Sequence, residues 1–247
     1  MLSSLLIFTI FSTTVWPSSS SSSTLTCTET NLANADLCGE KLFFVGKNSR
    51  PFPVNETELN DYCNETIQLI KCVRKFTEQC AKNSEQKQLA NVMLYTVRSL
   101  HRSTCGSKTK RLQLLHMSSC VNSLRKQSSH CMNQMLIRFG QALGLQQQNN
   151  RIPYGCCSFH RMKSCVLEHA ERQPKYCDSK SIEYFDQYIS NMAGNTLQLM
   201  CSDYDGDSDR CQRINRLSYD ISKIILPKSI LKAFGNLLLL SSDFQTV

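Results

Sequence analysis

The chain has 247 residues, carries 28 Lys and Arg against 20 Asp and Glu for a net charge of +8, and contains 14 cysteines. An even cysteine count with no Cys-x2-Cys spacing anywhere argues against structural zinc and for a disulfide framework laid down in an oxidising compartment. Outside a cell, the positive balance directs attention to anionic glycans or membrane surfaces before nucleic acid.

In chain order, the first expected element is a leader. The apolar run Leu5 to Val15 is far short of the ~20 residues of a membrane span. Pro17 and the serines at 18–23 supply the small residues of a cleavage site, so residues 1–23 read as a secretory signal peptide, although Lys and Arg are missing from its start. Residues 24–54 read as an N-terminal extended segment, in which Leu42-Phe-Phe-Val45 is the only strand candidate. A cysteine-rich helical domain is expected over 55–211. Residues 212–247 form a C-terminal tail in which Ser229 to Leu240 has the pattern of an amphipathic helix, with Ile230, Phe234, Leu237 and Leu238 on one side. The Leu237–Leu240 cluster is too short for a lipid-anchor signal, which ends in an apolar tail of ~10–20 residues.

Within the domain, Tyr62, Thr66, Leu69, Val73, Phe76 and Cys80 recur at helical spacing and predict a helix over about Thr57 to Cys80. It carries the second of two N-glycosylation sequons, Asn55-Glu-Thr57 and Asn64-Glu-Thr66, with Asn64 on the polar side beside Lys71 and Glu78. A second helix starts at Ser84 and carries Leu89, Val92, Met93, Thr96 and Leu100. The third holds Leu112, Leu115, His116 and Val121. A fourth, from about Ser129, holds Met132, Met135, Leu136, Phe139 and Leu143 and stops near Gly144. Gln146–Asn150 reads as a linker and Pro153-Tyr-Gly155 as a turn. The fifth runs from about Cys157 to Glu171, and the sixth carries Ile182, Phe185, Ile189, Met192, Thr196 and Met200. The expected fold is all-α, a disulfide-stapled bundle of about six helices.

Geometry narrows the disulfides. On one helix, Cys63 and Cys72 point about 180° apart, and the eight or nine residues between successive cysteines separate them by ~12 Å, too far to bond to each other. Folding the first two helices into a hairpin near residue 82 brings Cys63 to Cys105, and similar folding brings Cys120 to Cys131. Local closures are expected for Cys165–Cys177, Cys201–Cys211 and Cys27–Cys38, leaving Cys72–Cys157 and Cys80–Cys156.

Several stretches invite a chemical reading. In Cys201-Ser-Asp-Tyr-Asp-Gly-Asp-Ser-Asp-Arg-Cys211, neither register starting at Asp203 or Asp205 puts glycine at position 6 and glutamate at position 12 of a calcium loop. A solvated, disulfide-closed turn is expected there, not a site in which Asp203, Asp205, Asp207 and Asp209 hold calcium. Gly106-Ser-Lys-Thr-Lys110-Arg111 has only the tail of a phosphate-binding loop and reads as basic. Lys108, Lys110 and Arg111, with Arg125 and Lys126 nearby, form a candidate anion patch, a solvated face being the plainer reading. The five histidines, 101, 116, 130, 160 and 169, make no His-Glu-x-x-His, and there is no nucleophile elbow.

Two resemblances follow from particular residues. Cys156-Cys157-Ser-Phe-His160 resembles the Cys-Cys-x-x-His core of secreted calcium-dependent phospholipases, in which the histidine is the general base and a following aspartate holds calcium. Here that position is Arg161, the next cysteine comes late at Cys165, and no glycine-rich loop precedes the motif. Catalysis by His160 is not expected. The run Tyr62-Cys63, Lys71-Cys72-Val73, Phe76-Thr-Glu78-Gln-Cys80, followed by spaced cysteines and Tyr154-Gly-Cys-Cys, resembles arthropod secreted cysteine-rich helical proteins, to which the insect haemolymph glycoproteins are related. That resemblance implies a secreted α-helical fold without catalytic residues. The functional expectation is a secreted glycoprotein, neither enzyme nor metal or cofactor protein, with a binding or carrier role. Its partner would be an apolar ligand, favoured by the adaptable side chains of Met132, Met135, Met192 and Met200, or an anionic glycan. A structural or interaction role is the alternative, with a degenerate secreted-phospholipase-like enzyme behind it, and neither nucleic acid nor a membrane span is expected.

Overall fold

The structure, a computed structural model, describes residues 27–43, 49–81, 84–204 and 208–217. The expected leader, Phe44-Val45, Asp205–Asp207 and the tail from 218, with its expected amphipathic helix, lie outside these. Among the described residues the chain is all-α: α1 (Glu29–Phe43), α2 (Glu56–Cys80), α3 (Ser84–Gly106), α4 (Lys108–Ser123), α5 (Arg125–Leu143), a short 3-10 turn at Gln148–Asn150, α6 (Arg151–Glu171), α7 (Ser179–Cys201) and α8 (Asp209–Asn215). None of these helices is long and apolar enough to cross a membrane.

The boundaries follow from local chemistry. Asn55 caps α2 by accepting the Glu58 N–H at 2.9 Å, and the Glu58 carboxylate reaches back to the Val54 N–H at 2.9 Å, a reciprocal capping box. Ser107 caps α4, accepting the Lys110 N–H, and Asp178 caps α7, accepting the Ser181 N–H at 2.6 Å. The one-residue hinge Leu124, fully buried, separates α4 from α5. Gly194, at φ 70°, kinks α7 where one continuous helix was expected. A Cβ at that position would collide with the Thr96 side chain of α3, so only glycine serves both the backbone and the packing.

Three further expectations are corrected. The segment 24–54 is not uniformly extended: Ala35, Cys38 and Leu42 recur at helical spacing, and α1 lays Ala35 and Leu42 into the core beside α2, which removes Leu42-Phe43 from any strand. Pro153-Tyr-Gly155 lies in the first turns of α6, not in a turn before it, because a proline there forfeits only an N–H that has no intrahelical partner anyway. The 201–211 turn ends early, at Ser208, which caps α8.

Helix α2 packs between α1 and α3, α4 against α7, and α6 against α5, α7 and α8. The main core joins the first half of α2 to α4, α5, α6 and α7 around Leu59, Leu114, Met117 and Phe139, while Leu42, Ile70, Val73 and Leu94 form a second cluster at α1–α2–α3.

Seven disulfides tie these layers together. Cys63–Cys105 joins α2 to α3, the pair given by the hairpin geometry. The other six differ from expectation. Cys27–Cys80 and Cys38–Cys72 staple the α1 segment along α2, so neither Cys27–Cys38 nor the pairs Cys72–Cys157 and Cys80–Cys156 form. Folding of the unexpected α1 against α2 is the cause. Cys120–Cys177 and Cys131–Cys165 replace Cys120–Cys131 and Cys165–Cys177, because α4 packs on α7 and α5 on α6 instead of α4 folding back on α5. Cys156–Cys201 and Cys157–Cys211 replace Cys201–Cys211: adjacent cysteines on α6 point ~100° apart and so reach two elements, the end of α7 and α8. Every bridge closes a loop of at least 34 residues, the regime in which each is worth ~2–4 kcal/mol.

Candidate anion-binding surface

A polar cluster inside the fold is spent on structure. Residues 49–54 thread inward, and the Asn122 side-chain amide brackets Phe52, accepting its N–H and donating to its carbonyl, both at 2.8 Å. This sinks Arg50, 8% exposed in its side chain, where it donates to the carbonyls of Lys41 (3.3 Å) and Tyr62 (2.9 Å), to Glu65 (3.2 Å) and to the Thr66 hydroxyl. Its guanidinium lies 3.7 Å from the Tyr62 ring centroid, and the Tyr62 hydroxyl meets that of Tyr188 at 3.1 Å. Burial pushes both phenols up, most strongly Tyr188. Partial burial would raise the Glu65 carboxyl, but Lys41 and Arg50 outweigh it and hold it below its ordinary value. Cavities of ≈20 and ≈30 Å³ flank Tyr188, each with room for about one water molecule.

The basic patch is only partly assembled. Arg111 pairs with Glu56 and donates to Asn60 at 2.7 Å, so its charge ties the start of α4 to the start of α2. Lys108 is exposed and Lys110 half-buried; Arg125, which donates to the Ser49 carbonyl, and Lys126 open α5 instead. The two starts are separated by the length of α4, ~24 Å at 1.5 Å per residue. Helices α4, α5 and α6 begin with Lys108-Thr-Lys110-Arg111, Arg125-Lys126 and Arg151, and none has an acidic residue in its first turn.

A second cationic feature escaped the sequence pattern. Helices α5 and α6 run antiparallel, linked in register by Cys131–Cys165, by Arg138 Nε donating to Ser158 Oγ at 3.0 Å and by Tyr154 Oη donating to Gln141 at 2.9 Å. Between these links lies a groove of ≈270 Å³ whose lining includes His130, Arg138 and Arg161 and, among the described residues, no carboxylate. Arg138 also donates to Asn215 of α8 and sits 4.7 Å from the Tyr154 ring centroid.

The remaining candidates hold no reactive arrangement. His160 is half-buried and edge-on to Phe159, ring centroids 5.7 Å apart, while Cys156 and Cys157 clasp α7 and α8. His116 Nε2 lies 3.2 Å from Asp178, but the neighbouring Ser181 hydroxyl donates to the His116 backbone carbonyl at 3.4 Å and not to its ring, so no nucleophile–base pair forms. Hydrogen bonds from Ser181 and then His116 hold the Asp178 carboxyl below its ordinary value. Asp203 is exposed and lies 3.7 Å from Arg210, and Asp209 opens α8; Asp205 and Asp207 lie outside the described residues. Among the described residues two groups have metal-ligand composition, Cys63, His101, Cys105 and Cys131, Cys165, His169, each with its ligand atoms within 4.8 Å of one another. In both, the two sulfurs are bonded to each other, and a disulfide offers no thiolate to zinc. Asn55 and Asn64 are both exposed, whereas Thr66, the third residue of the second sequon, is buried and donates to the Tyr62 carbonyl at 2.7 Å. No protein-family model, curated protein or solved structure matches this chain.

Proposed function

We propose that the chain is an exported, glycosylated, disulfide-locked helical protein that acts without catalysis, by binding an extended anionic partner such as a sulfated or carboxylated glycan. One observation carries this reading: three successive helices open with Lys or Arg and no acidic residue. The positive end of a helix dipole favours acids there, so this arrangement gives up helix stability and raises the positive potential along the surface. Lys108 with Lys110, and Arg125 with Lys126 a helix length away, suit a long polyanion better than a single phosphate. Seven disulfides and helices without a membrane span fit an extracellular setting. The resemblance of its cysteine spacing to arthropod secreted cysteine-rich helical proteins would imply the same compartment and no catalytic residue. A carrier that encloses an apolar ligand is less favoured by the cavities beside Tyr188, which are far below the ~300–1,000 Å³ of small-molecule sites.

Retention on immobilised heparin tests the reading. The oxidised protein should elute above physiological salt, and Lys108→Glu with Lys110→Glu should elute distinctly earlier. Flow-through at physiological salt, or elution unmoved by the double charge reversal, would refute it.

A further inference from the structure

We infer that α3 carries the sugar-ring platform of the polyanion surface: Tyr95, with Lys87 and Arg102 on the same stripe, takes a pyranose ring of the sulfated or carboxylated glycan. This rests on the function proposed above and extends it from the helix starts to a helix face. At ~100° per residue, Lys87, Asn91, Tyr95, Arg98 and Arg102 fall within an arc of ~80° on α3. Lys87, Asn91, Tyr95 and Arg102 are exposed, and Arg98 is half-buried. From Lys87 to Arg102 the stripe spans ~22 Å at 1.5 Å per residue, the reach of an extended chain rather than of one small anion. It runs toward Lys108, because only Ser107 separates the end of α3 at Gly106 from the start of α4.

Tyr95 separates this stripe from a plain row of charges. At 73% exposed it is the most exposed large apolar residue among those described, so it adds little to packing, and tyrosine is a poorer helix former than lysine or glutamine. Beside it lies an open depression of ≈670 Å³ lined by Ser84, Lys87, Gln88, Asn91, Val92 and Tyr95, a volume inside the ~300–1,000 Å³ range of small-molecule sites. These side chains divide the work that an acidic sugar asks for. The electron-rich face of the phenol ring suits the C–H face of a pyranose, whose hydrogens carry partial positive charge. The Ser84 hydroxyl and the Gln88 and Asn91 amides both donate and accept, as sugar hydroxyls do. Lys87 and Arg102 answer sulfate or carboxylate, Arg102 through its planar fork of donors. A polyanion without rings would use the cations and leave Tyr95 idle.

Calorimetry on the oxidised full chain at several salt concentrations tests this, with a heparin octasaccharide and poly-L-glutamate as the two probes. Tyr95→Ala should weaken the octasaccharide roughly fivefold at every salt concentration, Tyr95→Phe should match the unaltered protein, and neither should change poly-L-glutamate binding. Arg102→Gln should lower the slope of log affinity against log salt by about one for both probes, since one ionic contact is lost. Octasaccharide binding indifferent to Tyr95→Ala, poly-L-glutamate weakened as much as the octasaccharide, or a slope unmoved by Arg102→Gln would overturn the inference. In each of those cases a loss of octasaccharide affinity in Lys108→Glu with Lys110→Glu would leave the polyanion surface itself standing. A loss in Tyr95→Ala with no effect of that double reversal would sustain the platform and overturn the placement at the helix starts, and no octasaccharide binding at all would overturn both.

Discussion

Arg50 and Arg138 are each held at a helix pair and each lies over a tyrosine ring, yet they serve opposite ends. Arg50 enters from the 49–54 segment into the α2 side of the core and meets Glu65, two backbone carbonyls and Thr66 at 3.7 Å from the Tyr62 ring centroid. Arg138 is held by Ser158, Asn215 and the Tyr154 ring at the wall of an open groove with no carboxylate among its described lining residues. A buried cation whose charge is answered inside the fold is architecture. Arg138, half-buried, ties α5 to α6 and α8 from the wall of a groove instead of from within the core.

The largest effect that separates the two regions is on stability. Arg50→Met removes a buried guanidinium that donates to the Tyr62 carbonyl and to Glu65, leaving the first to Thr66 and the second to Lys41, and loss of such charge-assisted hydrogen bonds costs ~1.5–3 kcal/mol. Arg138→Met, with neutral Ser158 and Asn215 left behind in a wetter setting, should cost about 1 kcal/mol. Urea denaturation of the oxidised variants, read by far-ultraviolet dichroism, compares them. Equal losses would break the distinction between the two arginines.

A smaller effect sharpens it through pH. The folded-state values of Glu65 and Asp178 are both lowered, so their contributions are fully present above the unfolded carboxylate values of ~3.9–4.3 and disappear as pH falls through the lower folded values. Melting temperature should therefore be flat with respect to these groups near neutrality and decline in acid. Glu65→Gln should melt lower at neutral pH and with a shallower acid limb. An acid limb unchanged in that variant would remove Glu65 from the network that anchors Arg50.

How far these regions are legible in sequence depends on whether the signal is local. Helix α2 is readable because its stripe from Tyr62 to Cys80 repeats without interruption, and Cys63–Cys105 because it needs only a hairpin near residue 82. Helix α1 is not, since its buried face is thin, Ala35 and Leu42 with Cys38 between them, and is completed by α2. With α1 unread, Cys38 and the preceding Cys27 look like a local pair, and Cys72 and Cys80 then lose their true partners. The same holds for the sites. Lys108 and Lys110 are adjacent in sequence and visible, although nothing local reveals that Arg111 turns back to Glu56. Arg138 and Arg161 face one groove only once α5 and α6 are set in the register of Cys131–Cys165, a tertiary fact that no spacing within either helix contains.

The central claim is that long-range disulfides, not local loops, lock the helices into one body. Peptide mapping of the oxidised protein under non-reducing conditions tests it most directly. Cys27 should be recovered linked to Cys80, Cys120 to Cys177, Cys156 to Cys201 and Cys157 to Cys211. Recovery of Cys27 with Cys38, or Cys201 with Cys211, would contradict it.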